Sequence, residues 1–546
     1  MKSIHSFIQL MLLTIALNSF VFSSTYYVDR QHPSASNSNP GSLTLPWLTI
    51  QHAAETIVAG DTVYIRNGIY NEHIYTVRSG NTTDGFIVFA AYPDETPIID
   101  GTGVLESQNG IIVNQSYIKL IGLEIRNWQD NGIWMENAGF IEINYCEVHQ
   151  FTGGIGASYG THDFTLDHVL MHNFDLYGFD ATPNGLDCYN GTFNDCIAHT
   201  GRDPAQNVDG FALGHGTQHS FVFNRCETYN VFDGFDISAE GSTLNECSAH
   251  NCWNGGYKLW QKNIKLINCL GFNNEETNVE LDWDNEPGGS TLINCTFYNS
   301  QTYNILVENS ADTLTLYNCI IAGGDNIGLA FEQMSVSNYH ADYNLFHNDN
   351  TDRAITVAFT DEFSLQQIQN GNWTSYSNQD SHSLVSFNDN KLFISPSNND
   401  FHLLENNPVV DNGTSVGAPN IDFEGNPRPS GQGVDIGAYE YQILPDVGDN
   451  YFNKSLKEYI LFQNYPNPFN PKTIITYFVP QQNWVRLKIY DLLGREIQTL
   501  VDEEQNQGLY HVPFDASATR DLASGIYMYR IITDNSIDTK KMVLLR

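Results

Sequence analysis

The chain is poor in basic residues, with 25 Lys and Arg against 63 Asp and Glu and a formal net charge of −38. A field of that sign repels polyanions at long range, which excludes nucleic acid and an anionic membrane surface as partners and suits multivalent cations or a salty medium. Long apolar runs are lacking too. The run Phe7 to Ala16 is too short to anchor in a bilayer. With Lys2 before it and Ser23, Ser24 and Thr25 after it, residues 1–24 read as a signal peptide, and no later run is long enough for a transmembrane segment. Strong helix formers are scarce, while Gly, Asn, Asp, Thr, Tyr and Phe abound, which argues against a helical bundle and for many short strands joined by polar turns. Nine cysteines include no Cys-x-x-Cys pair, so the commonest zinc spacing is missing. At 546 residues the chain is too long for one compact unit.

What is present is a repeat. Cys146, Cys196, Cys226, Cys247, Cys269, Cys295 and Cys319 each follow an Asn by one or two residues, and from Cys226 onward the steps are 21, 22, 26 and 24 residues. That is the regularity of a solenoid with one turn per step. Asn230, Asn251, Asn273 and Asn299 lie four residues after their cysteines and are expected to form a hydrogen-bonded ladder at a repeated bend.

A strand recurs in phase: Asp209-Gly-Phe-Ala-Leu-Gly, Asp233-Gly-Phe-Asp-Ile-Ser, Gly255-Gly-Tyr-Lys-Leu-Trp, Thr277-Asn-Val-Glu-Leu-Asp and Tyr303-Asn-Ile-Leu-Val-Glu. Its alternation sends Phe179, Phe211, Phe235, Tyr257, Val279 and Ile305 inward as one stack and Leu213, Ile237, Leu259, Leu281 and Val307 as a second, leaving the residues between them outward. The cysteines take an inward column and read as small reduced core groups, although stacked neighbours also fall within disulfide reach.

The fold class expected is all-β: a right-handed parallel β-helix over residues 25–442, a linker at 443–457 and a small C-terminal β-sandwich at 458–546. Thr49 to Val58 has the pattern of an amphipathic helix capping the first turn, and Ala59-Gly-Asp-Thr-Val-Tyr-Ile reads as the first strand. The repeat turns irregular after Asp342, and Gly433-Val-Asp-Ile-Gly-Ala-Tyr-Glu-Tyr resembles the closing segment of bacterial β-helices. A solenoid capped at both ends is expected to be a monomer.

At the C-terminus, Thr473 to Val479, Val485 to Tyr490, Leu509 to Phe514 and Gly525 to Ile532 alternate like sandwich strands. Together with Asn464-Tyr-Pro-Asn-Pro-Phe-Asn-Pro, Tyr490-Asp-Leu-Leu-Gly-Arg-Glu and Lys540-Lys-Met-Val-Leu, they resemble the C-terminal sorting domain of type IX secretion substrates. The resemblance implies the type IX machinery as a partner and a secreted or cell-surface location in a Gram-negative bacterium. A carbohydrate-binding sandwich is the competing reading.

Asp209 and Asp233 head consecutive strands, and Asp236 faces outward from the second. Carboxylates packed so closely repel unless a proton or cation intervenes, and hard oxygen donors suit Ca²⁺. Lys258 shares the outward column with Asp236, Glu280 follows it and Asp180 precedes Asp236 by two turns. The competing structural reading is a plain ladder of cross-strand ion pairs.

At Asn207-Val-Asp-Gly-Phe, Phe232-Asp-Gly-Phe-Asp and Gly255-Gly-Tyr-Lys-Leu the chain resembles polysaccharide lyase family 9, the β-helical pectate lyases. The resemblance implies Asp209, Asp233 and Asp236 as Ca²⁺ ligands, Lys258 as the base, an acidic polysaccharide as substrate and β-elimination as the reaction. Phe232 stands where the family carries a further acidic residue. Trp260, Glu280 and Trp253 are expected on the substrate side, with Trp283 nearby. Two rivals stay open: a glycoside hydrolase of the polygalacturonase type, suggested by Gly214-His-Gly, and a non-catalytic glycan-binding adhesin whose acidic column binds calcium only for stability.

Overall fold

The computed structural model describes residues 23–442 and 459–544, apart from 106–107, 183, 215–218, 282–288, 309–312, 324–326, 334–335, 349–352 and 388–391 in the first span and 463, 465–466, 468, 470, 492–493, 520–521, 523–524 and 534–535 in the second. The signal segment up to residue 22, the whole of the expected linker, Trp283 and His215 lie outside the described residues.

The first span is a right-handed parallel β-helix, built from a 13-stranded sheet and a 24-stranded sheet of short, almost entirely parallel strands. Each residue sits over its equivalent one turn later: Phe179 pairs with Phe211, Phe211 with Phe235, Phe235 with Tyr257, Tyr257 with Val279 and Val279 with Ile305. The rings of Phe211, Phe235 and Tyr257 stack at 5.1 and 5.2 Å within 6° of parallel, as the inward reading requires. All nine cysteines are buried free thiols. Their Sγ atoms donate to carbonyls of the preceding turn, as from Cys269 to Leu244 O at 3.3 Å and Cys295 to Leu266 O at 3.4 Å, so the thiols serve as small core groups that also bond between turns.

A column of glycines sets the bend that precedes the site. A Cβ on Gly154, Gly178, Gly210 or Gly234 would fall 2.2, 2.7, 2.7 or 2.5 Å from the carbonyl oxygen of the next glycine in the column. Only a residue without a side chain lets the turns pack this closely. From Asn278 onward asparagine takes over the column, and its amide donates to Asn304 at 2.7 Å.

Two expectations need correction. The solenoid begins one strand earlier than Ala59, because Thr25–Val28 pairs in register with Thr62–Ile65; four residues are too short a run to show periodicity. The asparagine ladder is displaced. Asn230, Asn251, Asn273 and Asn299 adopt left-handed backbone angles of 52–55°, and Asn299 does donate to Asn273, but Asn251 bonds His250 instead. A further side-chain ladder runs through the asparagines before the cysteines, from Asn245 to Asn224 and from Asn224 to Asn194, each at 2.9 Å. A left-handed turn suits asparagine whether or not its side chain also ladders, so the spacing alone does not say which asparagine column bonds across turns.

The helix Ile50–Thr56 covers the open first turn, with Thr49 capping the amide of His52 and Ile50, Ala53 and Ala54 buried. Beyond Asp342, Leu345–His347, Ile355–Val357 and Leu384–Ser386 continue the stack while two short helices, Leu365–Gln369 and Asn372–Ser377, interrupt it. The chain then folds back along the flank. Asn268, Asn294 and Asn318 donate to carbonyls of Ile421, Asp435 and Thr414, so the closing segment seals the edge of the asparagine column.

The second span forms antiparallel sheets of three and four strands. Ile475, Tyr477, Leu487, Ile489, Tyr529, Ile531 and Met542 make its separate core.

On the outside of the β-helix runs a second ladder, His149, His172, His199, Tyr229, His250 and Phe272, whose rings stack at 4.6–5.3 Å and within 8° of parallel. Three of its imidazoles meet a carboxylate one turn back: His149 with Glu124 at 3.2 Å, His172 with Glu147 at 3.0 Å and His250 with Glu227 at 3.1 Å.

Candidate functional site

The parallel register delivers the candidate residues side by side. Asp180 lies opposite Ala212, Ala212 opposite Asp236, Asp236 opposite Lys258 and Lys258 opposite Glu280, all in one outward column. Asp209 and Asp233 stand at the bend, each directly before a glycine of the close-packed column, and only 6% and 1% of their surfaces are exposed.

Lys258 reaches across the turn to Asp233, with Nζ 3.1 Å from Oδ2. The other oxygen of Asp233 accepts from Asn254 Nδ2 and from the amide of Gly255, both at 2.9 Å. Burial still raises the pKa of Asp233, against the pull of Lys258 and these donors. Asp209 is less well served. Its Oδ2 accepts from Asn207 at 3.3 Å, while the buried Oδ1 has no hydrogen-bond partner among the described residues. Burial, then Asp233 and Asp236, push its carboxyl well above the ordinary range. Asp180 accepts from Thr182 Oγ1 at 2.6 Å, and burial lifts its pKa to about 6.

For Lys258, burial pulls the pKa down, but Asp233 and Glu280 outweigh it and hold the ammonium above its usual value. The carboxylate that governs Lys258 is therefore Asp233 before Asp236, because the side chain leans toward the bend. The Trp260 ring lies 5.6 Å from Nζ on the same face. Trp253 points elsewhere: it precedes the strand, and its indole reaches back to within 3.5 Å of where a Cβ on Gly201 would sit. Phe232 is half-buried against the hydrophobic core, so its position carries no donor.

Asn207 and Asn254 were not singled out as ligand-orienting residues in the sequence. The signal was available, since each stands just before a strand whose bend carries an aspartate or contacts one. A buried carboxylate oxygen with no donor, crowded by two further carboxylates, fits a hard cation, and Asp209, Asp233 and Asp236 offer only oxygen atoms.

Two other clusters bring titratable groups together and are not metal sites. Glu147, His149 and His172 have ligand atoms within 4.8 Å of one another. Their imidazoles, however, are stacked 4.8 Å apart and 4° from parallel, so the nitrogen lone pairs lie in separate planes and cannot converge on one ion. Asp195, beside Asp167 and His168, is already held by Arg225 at 2.8 Å and Lys541 at 3.1 Å.

Residues 463–545 match the family described as the secretion system C-terminal sorting domain, which marks a secreted or cell-surface protein. No helix among the described residues is long and apolar enough to cross a membrane. The chain is 24% identical over 313 residues to pectate lyase L of Paenibacillus polymyxa, covering 50% of this chain and 64% of that protein, so it spans less than two thirds of the relative's length. It is 23% identical over 374 residues to pectate lyase PEL9 of Emericella nidulans, covering 59% of this chain and 85% of the relative. The crystal structure of pectate lyase Pel9A superposes with a TM-score of 0.48 at 17% identity, covering 77% of this chain and 97% of that one. Residues 26–318 match the family described as the Pel9A-like, right-handed β-helix region, and the chain belongs to that family.

Proposed function

We propose that this protein is a secreted polysaccharide lyase that cleaves a uronic-acid-containing, pectate-like polymer by β-elimination. The observation that carries this reading is the meeting of Lys258 Nζ with Asp233 at 3.1 Å, at the bend where Asp209 Oδ1 has no hydrogen-bond partner among the described residues. The names of the relatives point the same way.

Asp209, Asp233 and Asp236 are the residues that would hold Ca²⁺, which when bound neutralises the substrate carboxylate and the developing negative charge. Lys258 takes the C5 proton of the uronide. The electron pair of the C–H bond becomes the C4–C5 double bond, the C4–O4 bond breaks, and water protonates the leaving oxygen. To act as base, Lys258 must be the neutral amine, so the pull of Asp233 on its ammonium has to be relieved, as a cation held by Asp233 and Asp236 would do. Asn254 and the Gly255 amide hold Asp233 in place. Trp260, on the same face, supplies a surface for a sugar ring.

The test is the ultraviolet absorbance of the unsaturated product on polygalacturonate and other polyuronates, with and without EDTA. Lys258→Ala should lose at least about 100-fold in kcat/KM with an unchanged circular dichroism spectrum, since a positioned base contributes roughly 10²–10⁴. Full activity in Lys258→Ala removes the assigned base. Reducing ends without the new absorbance would indicate a hydrolase, and binding without either product a non-catalytic calcium-stabilised adhesin.

A further inference from the structure

The outward column that carries Asp236 and Lys258 continues toward the N-terminal end of the solenoid, beyond Asp180 to Gly156 and Trp134. Gly156 is bare, and a Cβ there would collide with the Trp134 ring, 2.4 Å from both Cε3 and Cζ3. The indole therefore lies flat across the next turn. Its Nε1 donates to Glu136 at 3.2 Å, two residues on along the same strand, which fixes the ring in its plane. Among the described residues no other aromatic ring stacks on Trp134, and its side chain is half-buried.

Between this ring and Lys258 the column holds Asp180, Ala212 and Asp236. From Gly156 to Lys258 is four turns, roughly 19 Å at the spacing of parallel strands. That is the length of several linked sugar rings lying along the solenoid axis.

Resting on the lyase reading of the Lys258 site, we infer that Trp134 is a distal stacking platform for the same acidic glycan, several sugar units from the bond that breaks. A large amphipathic ring laid over a glycine in an outward column, with a hydrogen-bonded edge and part of its surface accessible, matches the apolar face of a pyranose. The glycine beneath it exists to let the ring lie down. The column between offers carboxylates that turn toward hydroxyls or, for Asp180 with its pKa of about 6, present a proton to a uronate near that pH.

The experiment measures equilibrium binding of saturated oligogalacturonates of increasing length, with Ca²⁺ present, to the full chain carrying Lys258→Ala, which prevents turnover. Affinity is expected to rise with length until the oligomer reaches the platform. Adding Trp134→Ala should erase the gain from the longest oligomers, about 10-fold, and Trp134→Tyr should restore most of it. Gly156→Ala provides an independent route: its methyl tips the indole off the sheet with Trp134 still present, and the same loss is expected. If length dependence is untouched by Trp134→Ala and by Gly156→Ala, the platform is refuted while the Lys258 site stands. If no uronide oligomer binds any of these proteins, the lyase reading falls and the platform with it.

Discussion

Two charged ladders run along this solenoid, and they behave in opposite ways. In the ladder of His149, His172 and His250 each imidazole repeats its neighbour's arrangement and meets a glutamate one turn back at 3.0–3.2 Å. At Asp209, Asp233, Asp236 and Lys258 the repeat is broken: like charges crowd, one carboxylate oxygen has no donor among the described residues, and the only cation in the column pairs with an acid at the bend. A translational repeat can give one polar pair to several turns, and where it does it stabilises the coil. Chemistry needs a local exception, where groups are left short of partners.

The sharpest way to break this comparison is to disturb one member of each ladder. Asp233→Asn removes the partner of Lys258 and a ligand together, and should lower kcat/KM on polygalacturonate by about 10³, some 4 kcal/mol of barrier. His250→Gln should leave turnover in place and lower only the melting temperature. Equal loss of activity in both would erase the distinction.

A smaller effect is expected at the bend that positions the acids. The would-be Cβ of Gly210 falls 2.1 Å from Thr228 Oγ1 and 2.7 Å from Gly234 O. Gly210→Ala should therefore cost roughly 1–3 kcal/mol of stability in denaturant unfolding. An unchanged midpoint would mean that the turns have slack.

The smallest effect belongs to the one ladder imidazole without a carboxylate one turn back. His199 is pulled down to about 4 by burial and by His172. Its folded pKa lies below the unfolded value of about 6.5, so the unfolded chain binds the extra proton first, and stability falls as pH drops from about 6.5 toward 4. At pH 5 the loss should be about 1–2 kcal/mol, visible as a lower melting temperature than at pH 7. His199→Phe should flatten that slope. If the variant keeps the full slope, the acid sensitivity lies elsewhere.

Much of this was legible in the sequence because a β-helix repeats its instructions. Inward Phe211, Phe235 and Tyr257 and the column Asp236, Lys258, Glu280 follow from strand alternation plus a constant pitch, and both appear as read. Single events were not legible. Thr25–Val28 forms the first turn without any periodic signal, since its pairing partner lies across a loop and a helix. Trp253 was expected on the substrate side from a nearby turn, with packing under a loop as the alternative; it sits before the bend and turns toward Gly201. The preference of Lys258 for Asp233 depends on side-chain lean, which a column alignment does not encode. Phe232 shows the reverse case: the departure was visible in the sequence, and its reason is that the ring packs on the core.

The uneven steps between cysteines, 21, 22, 26 and 24 residues, occur while paired strands keep their register. The added residues of the longer steps fall between the paired strands in the sequence, and the register of the wall is unchanged. The segments between strands can change in length while the strand pairing keeps Asp236 beside Lys258. In such a scaffold insertions and deletions are absorbed without moving the residues that share the outward column.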